Sequence, residues 1–212
     1  MALDVQKPTD YDSRVFVNCP FDSKFKPLFD AIIFTIHDLG FQARHALIDD
    51  SSVVRVERIA REIASAKYSL HDVSRVELGK NKLPRFNMPF ETGIAYAVHA
   101  MSPYRWDHHI GILDAIAYQH NASISDLAGL DTKVHGESPD EAIRCVREFL
   151  RRKSGRADLP GAGHVIERYL AFKGSLAVAA KKIKVKRREL SSWAYANDLQ
   201  SLMAGWILQN PS

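Results

Sequence analysis

The chain of 212 residues is long enough to bury a substantial core, and 46% hydrophobic and 25% charged residues are ordinary for a soluble globular protein. No apolar run approaches the roughly 20 residues of a membrane-spanning helix, and the polar N-terminus lacks the apolar stretch of a signal peptide. Cys19 and Cys145 match no disulfide framework and no metal-ligand spacing. We therefore expect a cytoplasmic protein with free thiols, no metal site and no membrane partner.

The net charge of +4 comes from one short basic segment. Residues 181–188 hold six of the 29 basic residues, and the other 23 are slightly outnumbered by the 25 acidic residues. The six are Lys181, Lys182, Lys184, Lys186, Arg187 and Arg188. Such a run either attracts nucleic acid electrostatically or forms a solvated helix face. No base-reading motif accompanies it that would favour binding of nucleic acid.

The predicted elements alternate between strands and helices along the chain. Runs of β-branched and aromatic residues predict five strands, at 14–19, 41–48, 67–74, 108–115 and 131–136. Apolar residues at helical spacing predict the helices between and after them, at 23–39, 53–66, around 89–101, 123–130 and 138–153. In the last of these, Ser138 is expected as the N-cap and Pro139 at the first helical position.

This alternation predicts a three-layer α/β sandwich with a mainly parallel, five-stranded sheet over residues 1–153. The glycine-rich residues 154–163 are typical of a linker, and residues 164–212 predict a C-terminal helical extension of two helices. The second of these helices carries an apolar stripe, which we expect to dock on the main domain or to form a dimer contact. The stripe consists of Trp193, Ala196, Leu199, Leu202, Met203, Trp206 and Ile207.

The fold class also predicts where a ligand binds. Ligands of parallel α/β sheets bind in the crevice outside the carboxyl ends of the strands. Candidate site residues are therefore those that follow strands: Asn18 to Asp22, the residues after Ile48, His71 to Arg75 and the loop after Asp114.

Glu91 lies where a loop with Pro, Arg and Asn runs into a helix of small and apolar residues. Pro89 favours the first helical turn, with Asn87 or Met88 as the cap, so Glu91 is expected within that turn. We expect it beside a buried stripe, with Gly93 and the alanines allowing close packing on the sheet. The predicted stripe is Phe90, Ile94, Ala97, Val98 and Met101. Glu91 is then either an acid that suits the helix dipole or the reactive group of an active site.

Glu91, Gly93, Ala95 and Ala97 form the pattern E-x-G-x-A-x-A, which resembles the signature of nucleoside 2-deoxyribosyltransferases. Three further blocks are similar, in the same order, to those of bacterial proteins related to Toll/interleukin-1 receptor (TIR) domains. The blocks are NCPFD (18–22), HDVSR (71–75) and LPRFNMPFETG (83–93).

The resemblance covers residues 14 to about 152 and implies a flavodoxin-like fold. It also implies a helix-borne glutamate that attacks the anomeric carbon of a nucleoside or cleaves the nicotinamide bond of NAD. In the transferases, the loop before this glutamate usually contains Asp and Gly, whereas this chain has Arg85 and Asn87.

Glycosidic chemistry needs a carboxylate, because cleavage of an N-glycosidic bond passes through an oxocarbenium-like transition state that a carboxylate stabilises or attacks. The resemblance gives that role to Glu91. Asp72 is the second catalytic candidate, since another group must hold the ribose or protonate the leaving base. Side chains alternate along a strand, so only one of Asp72 and His71 faces the crevice; we favour Asp72, and His71 is either a ligand group or a structural histidine.

The substrate-binding candidates are polar or aromatic residues of the three blocks: Asn18, Pro20, Phe21, Asp22, His71, Arg75, Arg85 and Asn87. The arginine fork suits phosphate, but Arg75 and Arg85 equally suit salt bridges that fix their loops. In the same way, Asn18 and Asp22 suit turns, and Phe21 suits core packing. Phe86 suits either core packing or stacking on a base.

The leading expectation is an N-glycosidase that acts on a nucleotide such as NAD or on a nucleoside. It needs no cofactor, since NAD enters as substrate, and the resemblance implies a role in bacterial defence or stress signalling. The alternative is a non-catalytic TIR-like module that binds a nucleotide signal or assembles with itself. We expect a homo-oligomer, with nucleic acid as a further partner if the basic run binds it.

Overall fold

The structure is a computed structural model that describes residues 7–47, 54–75, 86–101, 107–119 and 132–211. In these residues five strands form one sheet, parallel throughout, in the order β2-β1-β3-β4-β5. The strands are β1 (Arg14–Asn18), β2 (Gln42–His45), β3 (Tyr68–Asp72), β4 (His109–Asp114) and β5 (Thr132–Val134). This order is that of flavodoxin-like doubly wound folds, so the predicted α/β class with a parallel five-stranded sheet is confirmed.

Helices alternate with these strands and then continue to the end of the described chain. They are α1 (Lys26–Asp38), α2 (Arg55–Ala64), α3 (Asn87–Met101), α4 (Pro139–Ser154), α5 (Ala162–Lys182), α6 (Arg187–Leu190) and α7 (Ala196–Gln209). The predicted helix at 123–130 lies outside the described residues. In α4, the Ser138 side chain accepts a hydrogen bond from the Glu141 N–H, and Gly155 ends the helix at φ +70°, where glycine is favoured.

The chain forms two compact units. The first comprises Met1–Pro20 and Gln42–Gly136, and it contains the sheet, α2 and α3. The second comprises Phe21–Phe41 and Glu137–Ser212, and it contains α1 and α4 to α7. Residues 155–161, within the predicted linker, connect α4 to α5 inside the second unit. That residues 1–153 form a domain of their own stays a prediction.

The core of the first unit is built around the two central strands of its sheet. In β3, all five residues are buried, as are the last four residues of β1. Strands of parallel sheets are buried on both faces, which explains why β1 is a continuous apolar run rather than an alternating one. The parallel register places Asn18 of β1 beside His71 of β3, and Asp72 beside Leu113 of β4. The polar residues therefore gather where the strands end.

The second unit has a core of helix-to-helix contacts. The ring of Phe34 lies 5.5 Å from that of Phe172 in a stacked arrangement, 5.3 Å from Tyr169 and 6.0 Å from Trp206, measured between ring centres. The helix α7 packs against α1 and α5. Three residues of its predicted stripe are buried in this way, Ala196, Leu199 and Met203. A dimer contact through α7 stays a prediction.

Both cysteines are buried, and Cys19 and Cys145 form no disulfide bond. Within the described parts of the chain, no helix combines the length and the apolar character that crossing a membrane requires.

Candidate functional site

The carboxyl edge of the sheet carries a group of buried polar side chains. Asn18 ends β1, His71 and Asp72 end β3, Asp114 ends β4, and His135 directly follows β5. Each of the five is at most 2% exposed. A buried polar group destabilises the fold unless it is hydrogen-bonded, so this edge must be held by specific partners. Alternation along the strands divides those partners into two networks.

The first network joins His71 to Asn18. The Asn18 amide nitrogen lies 3.1 Å from His71 Nδ1, and with the amide as donor Nδ1 is the acceptor and the ring proton is on Nε2. Burial, assisted by the neighbouring His108, lowers the pKa of His71 to about 3, so the ring is neutral at pH 7. Among the described residues Nε2 has no hydrogen-bond partner although it is buried. An unmatched buried N–H is costly, so it marks a position where a ligand or water atom is favoured.

The second network is centred on Asp72. One carboxylate oxygen accepts hydrogen bonds from the backbone N–H and the hydroxyl of Ser74, and the other lies 2.9 Å from His135 Nε2. Both oxygens therefore have internal partners, and the side chain fixes the turn after β3 and orients His135. His71 and Asp72 do point to opposite faces. The catalytic role that we favoured for Asp72 stays a prediction.

Glu91 lies in the second turn of α3, not in the first. The helix begins at Asn87, and the Phe90 N–H already donates to the Phe86 carbonyl at 2.9 Å. The prediction of a cap at Asn87 or Met88 and of Glu91 in the first turn is therefore wrong. Proline needs no hydrogen-bond acceptor at any position of the first turn, so Pro89 allows the helix to start two residues earlier. The helix dipole acts mainly within the first turn and explains Glu91 less well from this position.

The buried face of α3 includes Glu91 itself. Buried residues are Met88, Glu91, Thr92 and Ala95, which have the i, i+3, i+4, i+7 spacing of one helix face. This face packs in the region where α3 meets α2, β1, β3 and β4. A carboxylate thus stands in the middle of the stripe where an apolar residue is usual.

The predicted stripe of α3 is wrong. Phe90 is 61% exposed and Met101 83% exposed. Gly93 and Ala97 are exposed as well, and a Cβ on Gly93 meets no atom within 4 Å among the described residues, so Gly93 does not serve close packing. The prediction failed because α3 has apolar residues around its whole circumference, and their spacing then selects no single face.

Among the described residues, burial and the cation of Arg55 set the electrostatics of Glu91. Burial raises the pKa of Glu91, and the Arg55 guanidinium, 3.6 Å from Oε1, opposes this increase. Arg55 is the first residue of α2 and its side chain is 52% exposed. The pKa of Glu91 is therefore raised above that of an ordinary glutamate, and shifted pKa values of this kind are common at functional sites.

The remaining candidates of the first unit are spread around this edge. Pro20 is buried two residues after β1, Arg75 is partly exposed three residues after β3, and Asn87 is exposed at the start of α3. Arg85 lies outside the described residues. Substrate binding by these residues stays a prediction.

Phe21 and Asp22 belong to the second unit and have structural partners there. Asp22 Oδ1 accepts hydrogen bonds from the backbone N–H groups of Lys24 and Phe25, both at 3.0 Å, which fixes the turn before α1. The Phe21 ring packs edge-on against Trp193 with 5.1 Å between ring centres. These contacts agree with the structural interpretation of both residues, and their ligand roles stay predictions.

The basic run does not form one helix face. Lys181 and Lys182 end α5, Lys184 lies in a turn with φ +58°, and Arg187 and Arg188 begin α6. All six basic residues of the run are exposed. Binding of nucleic acid by this run stays a prediction.

Two residues of the site were not among the sequence candidates: Arg55 and His135. The position of His135 directly after a strand is the signal that could have identified it. The fifth strand was predicted to extend through residue 136, whereas it ends at Val134. Ser74 lies inside the predicted candidate range His71 to Arg75, but no role was predicted for it. Nothing in the sequence pairs Arg55 with Glu91, because the two belong to separate helices.

In the described parts of the chain, no three His, Cys, Asp or Glu side chains converge in a way that would hold a metal ion. Comparisons of the chain with known protein families, curated proteins and solved structures gave no match.

Proposed function

We propose that the protein is an N-glycosidase that cleaves the bond between base and ribose in a nucleotide such as NAD or in a nucleoside, with Glu91 as the reactive carboxylate. The observation that carries the proposal is the position of Glu91 in the middle of the buried face of α3, where Arg55 is the one cation paired with it among the described residues. A carboxylate in such a place destabilises the fold, so its presence there is explained by a function.

The chemistry follows from the charge of the transition state. As the bond between the anomeric carbon and the base nitrogen breaks, its electron pair leaves with the base and positive charge develops on the ribose. Ionised Glu91 stabilises that charge or forms an ester with the anomeric carbon. Water then adds at this carbon, and where the ester has formed it displaces the Glu91 carboxylate. The proton that the water loses goes to solvent or to the departed base, so that the products are the free base and the ribose with a hydroxyl group.

Nicotinamide is a leaving group that this arrangement suits. The pyridinium nitrogen of NAD carries a positive charge, so the base departs neutral and needs no proton from the protein. Because both oxygens of Asp72 already have internal partners, the described residues offer Glu91 as the carboxylate with the clearest freedom to act. A substrate that needs no second acid therefore fits better than one that does.

Arg55 and His71 have supporting roles in this proposal. Arg55 favours the ionised form of Glu91, since its charge lowers the pKa that burial raises. His71 stays neutral and holds its Nε2 without a partner from the described residues, so this nitrogen is available to a ribose hydroxyl or to an amide of the base. The position of such groups at the carboxyl edge agrees with where parallel sheets bind ligands.

A second candidate function is binding of a nucleotide signal without turnover. The observation that favours it is the internal engagement of the other described carboxylates at this edge: both oxygens of Asp72 have partners, and Asp114 accepts a hydrogen bond from the Ala115 N–H. In that case the unmatched His71 Nε2 and the buried Glu91 recognise ribose hydroxyl groups. A role in bacterial defence or stress signalling suits either function and rests on the resemblance alone.

The test separates the two functions by measuring products and binding on the same samples. The protein is incubated with NAD and with each common nucleoside, and products are resolved by chromatography. Calorimetric titration with the same compounds measures binding. Glu91→Gln keeps the size of the side chain and removes the carboxylate, and Glu57→Gln is the matched control because Glu57 is an exposed glutamate of α2.

Release of free base by the wild type and by Glu57→Gln, but not by Glu91→Gln, supports the glycosidase. Binding without base release in all three proteins supports the signal-binding function and rejects the glycosidase. Neither binding nor release with any compound of the panel rejects both functions.

A further inference from the structure

The second unit contains a cavity of about 280 Å³ between α1, α5, α6 and α7. Its lining is partly apolar, and the apolar part includes Phe172, Leu190, Leu199 and Met203, all buried. The volume lies near the lower end of the range for small-molecule sites, which is roughly 300–1,000 Å³. A concave, apolar space of this size fits a compact ring system rather than an extended polymer.

The charged residues that line this cavity are mostly cationic. Lys26 is 3% exposed, and its ammonium lies 2.5 Å from the Asp30 carboxylate, so these two charges compensate one another. Lys173 lies over the Tyr169 ring, with 5.4 Å from its ammonium to the ring centre. Arg187, the first residue of α6, also lines the cavity.

Two of these cations, Lys173 and Arg187, differ from Lys26 in their pairing. In the residues that the structure describes, neither Lys173 nor Arg187 forms an ion pair, although Asp30 lies near enough for Lys173 to lower its pKa. The cavity therefore combines an apolar interior with an excess of two positive charges at its rim. Apolar walls with a few convergent polar groups are typical of a small-molecule site, and an arginine fork suits a phosphate or carboxylate.

We propose that this cavity binds a small organic anion, in which a phosphate, sulfonate or carboxylate group contacts Arg187 and Lys173 and a compact apolar body fills the space above Phe172. The site belongs entirely to the second unit and does not depend on the glycosidase proposal. It also gives Arg187 a role that the other residues of the basic run do not share.

The test uses 1-naphthyl phosphate as the probe, with 1-naphthol as its neutral counterpart, in calorimetric titrations of the full chain. Wild-type protein is expected to bind the phosphate at one site and to bind 1-naphthol much more weakly. Arg187→Gln is expected to weaken binding of the phosphate about tenfold or more, since it removes charge-assisted hydrogen bonds. Arg188→Gln is the matched control, because Arg188 is the adjacent exposed arginine of the same helix and does not line the cavity.

A second variant tests the apolar part of the site. Leu176→Trp adds a large side chain at a partly exposed position of the lining and is expected to abolish binding by filling the space. Circular dichroism and the thermal midpoint verify that each variant is folded. Equal losses in Arg187→Gln and Arg188→Gln would show general charge attraction and overturn the proposal. Equal affinity for 1-naphthol, or no saturable binding of the phosphate, would overturn it as well.

Discussion

Glu91 and Arg55 form an ion pair between two helices, with 3.6 Å from the glutamate Oε1 to the guanidinium. The two side chains differ in environment, because that of Glu91 is 6% exposed and that of Arg55 is 52% exposed. Water solvates the arginine, so the cost of desolvation falls on the glutamate. The charge state of Glu91 therefore depends on a cation at the surface, and this dependence can be measured.

Replacing Arg55 with glutamine is expected to raise the pKa of Glu91 further. The substitution removes a neighbouring cation that favours the ionised carboxylate, and the side chain stays buried, which favours the protonated form. The measurement is a pH titration of the Glu91 side-chain carbonyl by carbon-13 NMR. Arg61→Gln is the matched control, since Arg61 is an exposed arginine of the same helix that pairs with Glu57. Titration curves of Glu91 that coincide in wild type and Arg55→Gln would refute the pairing.

Replacing Glu91 with glutamine is expected to increase the free energy of unfolding relative to wild type at pH 7, and to increase it less at pH 4. Burial raises the pKa of Glu91 above the ordinary value of 4.5, so the folded state favours the protonated form. In the wild type, the stability that comes with protonated Glu91 is fully present below about pH 4.5. It is lost as the pH rises through the raised pKa of Glu91. Glutamine does not ionise, so Glu91→Gln avoids that loss.

The expected gain in the free energy of unfolding at pH 7 is roughly 0.5–2 kcal/mol, the usual range for relief of a functional compromise. Urea denaturation at the two pH values measures it, with Glu57→Gln as the exposed counterpart that should change little at either pH. A Glu91→Gln protein that is less stable than wild type at pH 7 would mean that Glu91 is retained for the fold.

Replacing Asp72 with alanine is expected to destabilise the protein by about 3 kcal/mol. The substitution leaves the Ser74 N–H, the Ser74 hydroxyl and His135 Nε2 buried without their acceptor, and each such loss costs on the order of 1–3 kcal/mol. Asp72→Asn keeps one acceptor oxygen and should cost less. Denaturant unfolding measures both variants, and a loss below about 1 kcal/mol for Asp72→Ala would mean that the network does not hold this edge.

The cavity of the second unit should bind anions more tightly as the pH falls through about 6. Burial raises the pKa of Asp30 to about 6, against the opposing charges of Lys26 and Lys173. Protonation of Asp30 then removes the one negative charge of a lining that also contains Arg187, while Tyr169 stays neutral because burial raises its pKa. The α7 side of the cavity contributes Leu199 and Met203 and no titratable group.

The probe for this dependence is 1-naphthalenesulfonate, which keeps its charge over the whole range, unlike a phosphate monoester with a pKa near 6. We expect the affinity to increase severalfold, on the order of tenfold at most, between pH 7.5 and pH 5. Asp30→Asn should bind with the higher affinity at both pH values. The same pH dependence in wild type and Asp30→Asn would assign the effect to another group.

Local patterns in the sequence predicted the elements of the fold because each pattern is short. Five strands and the helices that border them follow from apolar spacing and turn residues, and the strand-end argument located Asn18, His71 and Asp72 at one edge. The face of α3 did not follow, because a helix with apolar residues on every side gives no preferred direction. The burial of Glu91 was visible only once the helix had been placed on the sheet.

Side-chain pairs between distant elements could not be predicted from the sequence. Arg55 meets Glu91 and His135 meets Asp72 only because α2 and α3, and β3 and β5, are brought together by the sheet. The cavity of the second unit is assembled from four helices in the same way. The charge of the basic run is evident from the sequence, whereas the position of Arg187 at a cavity depends on where α6 begins.

The central claim is that Glu91 is a reactive carboxylate, and the most direct test is the initial rate of nicotinamide release from NAD at pH 7. Wild type and Glu57→Gln are expected to release nicotinamide at equal rates. Glu91→Gln is expected to be slower by a factor of about 10³ or more, since an interaction made mainly in the transition state is lost. Nicotinamide release by Glu91→Gln at the wild-type rate would contradict the account.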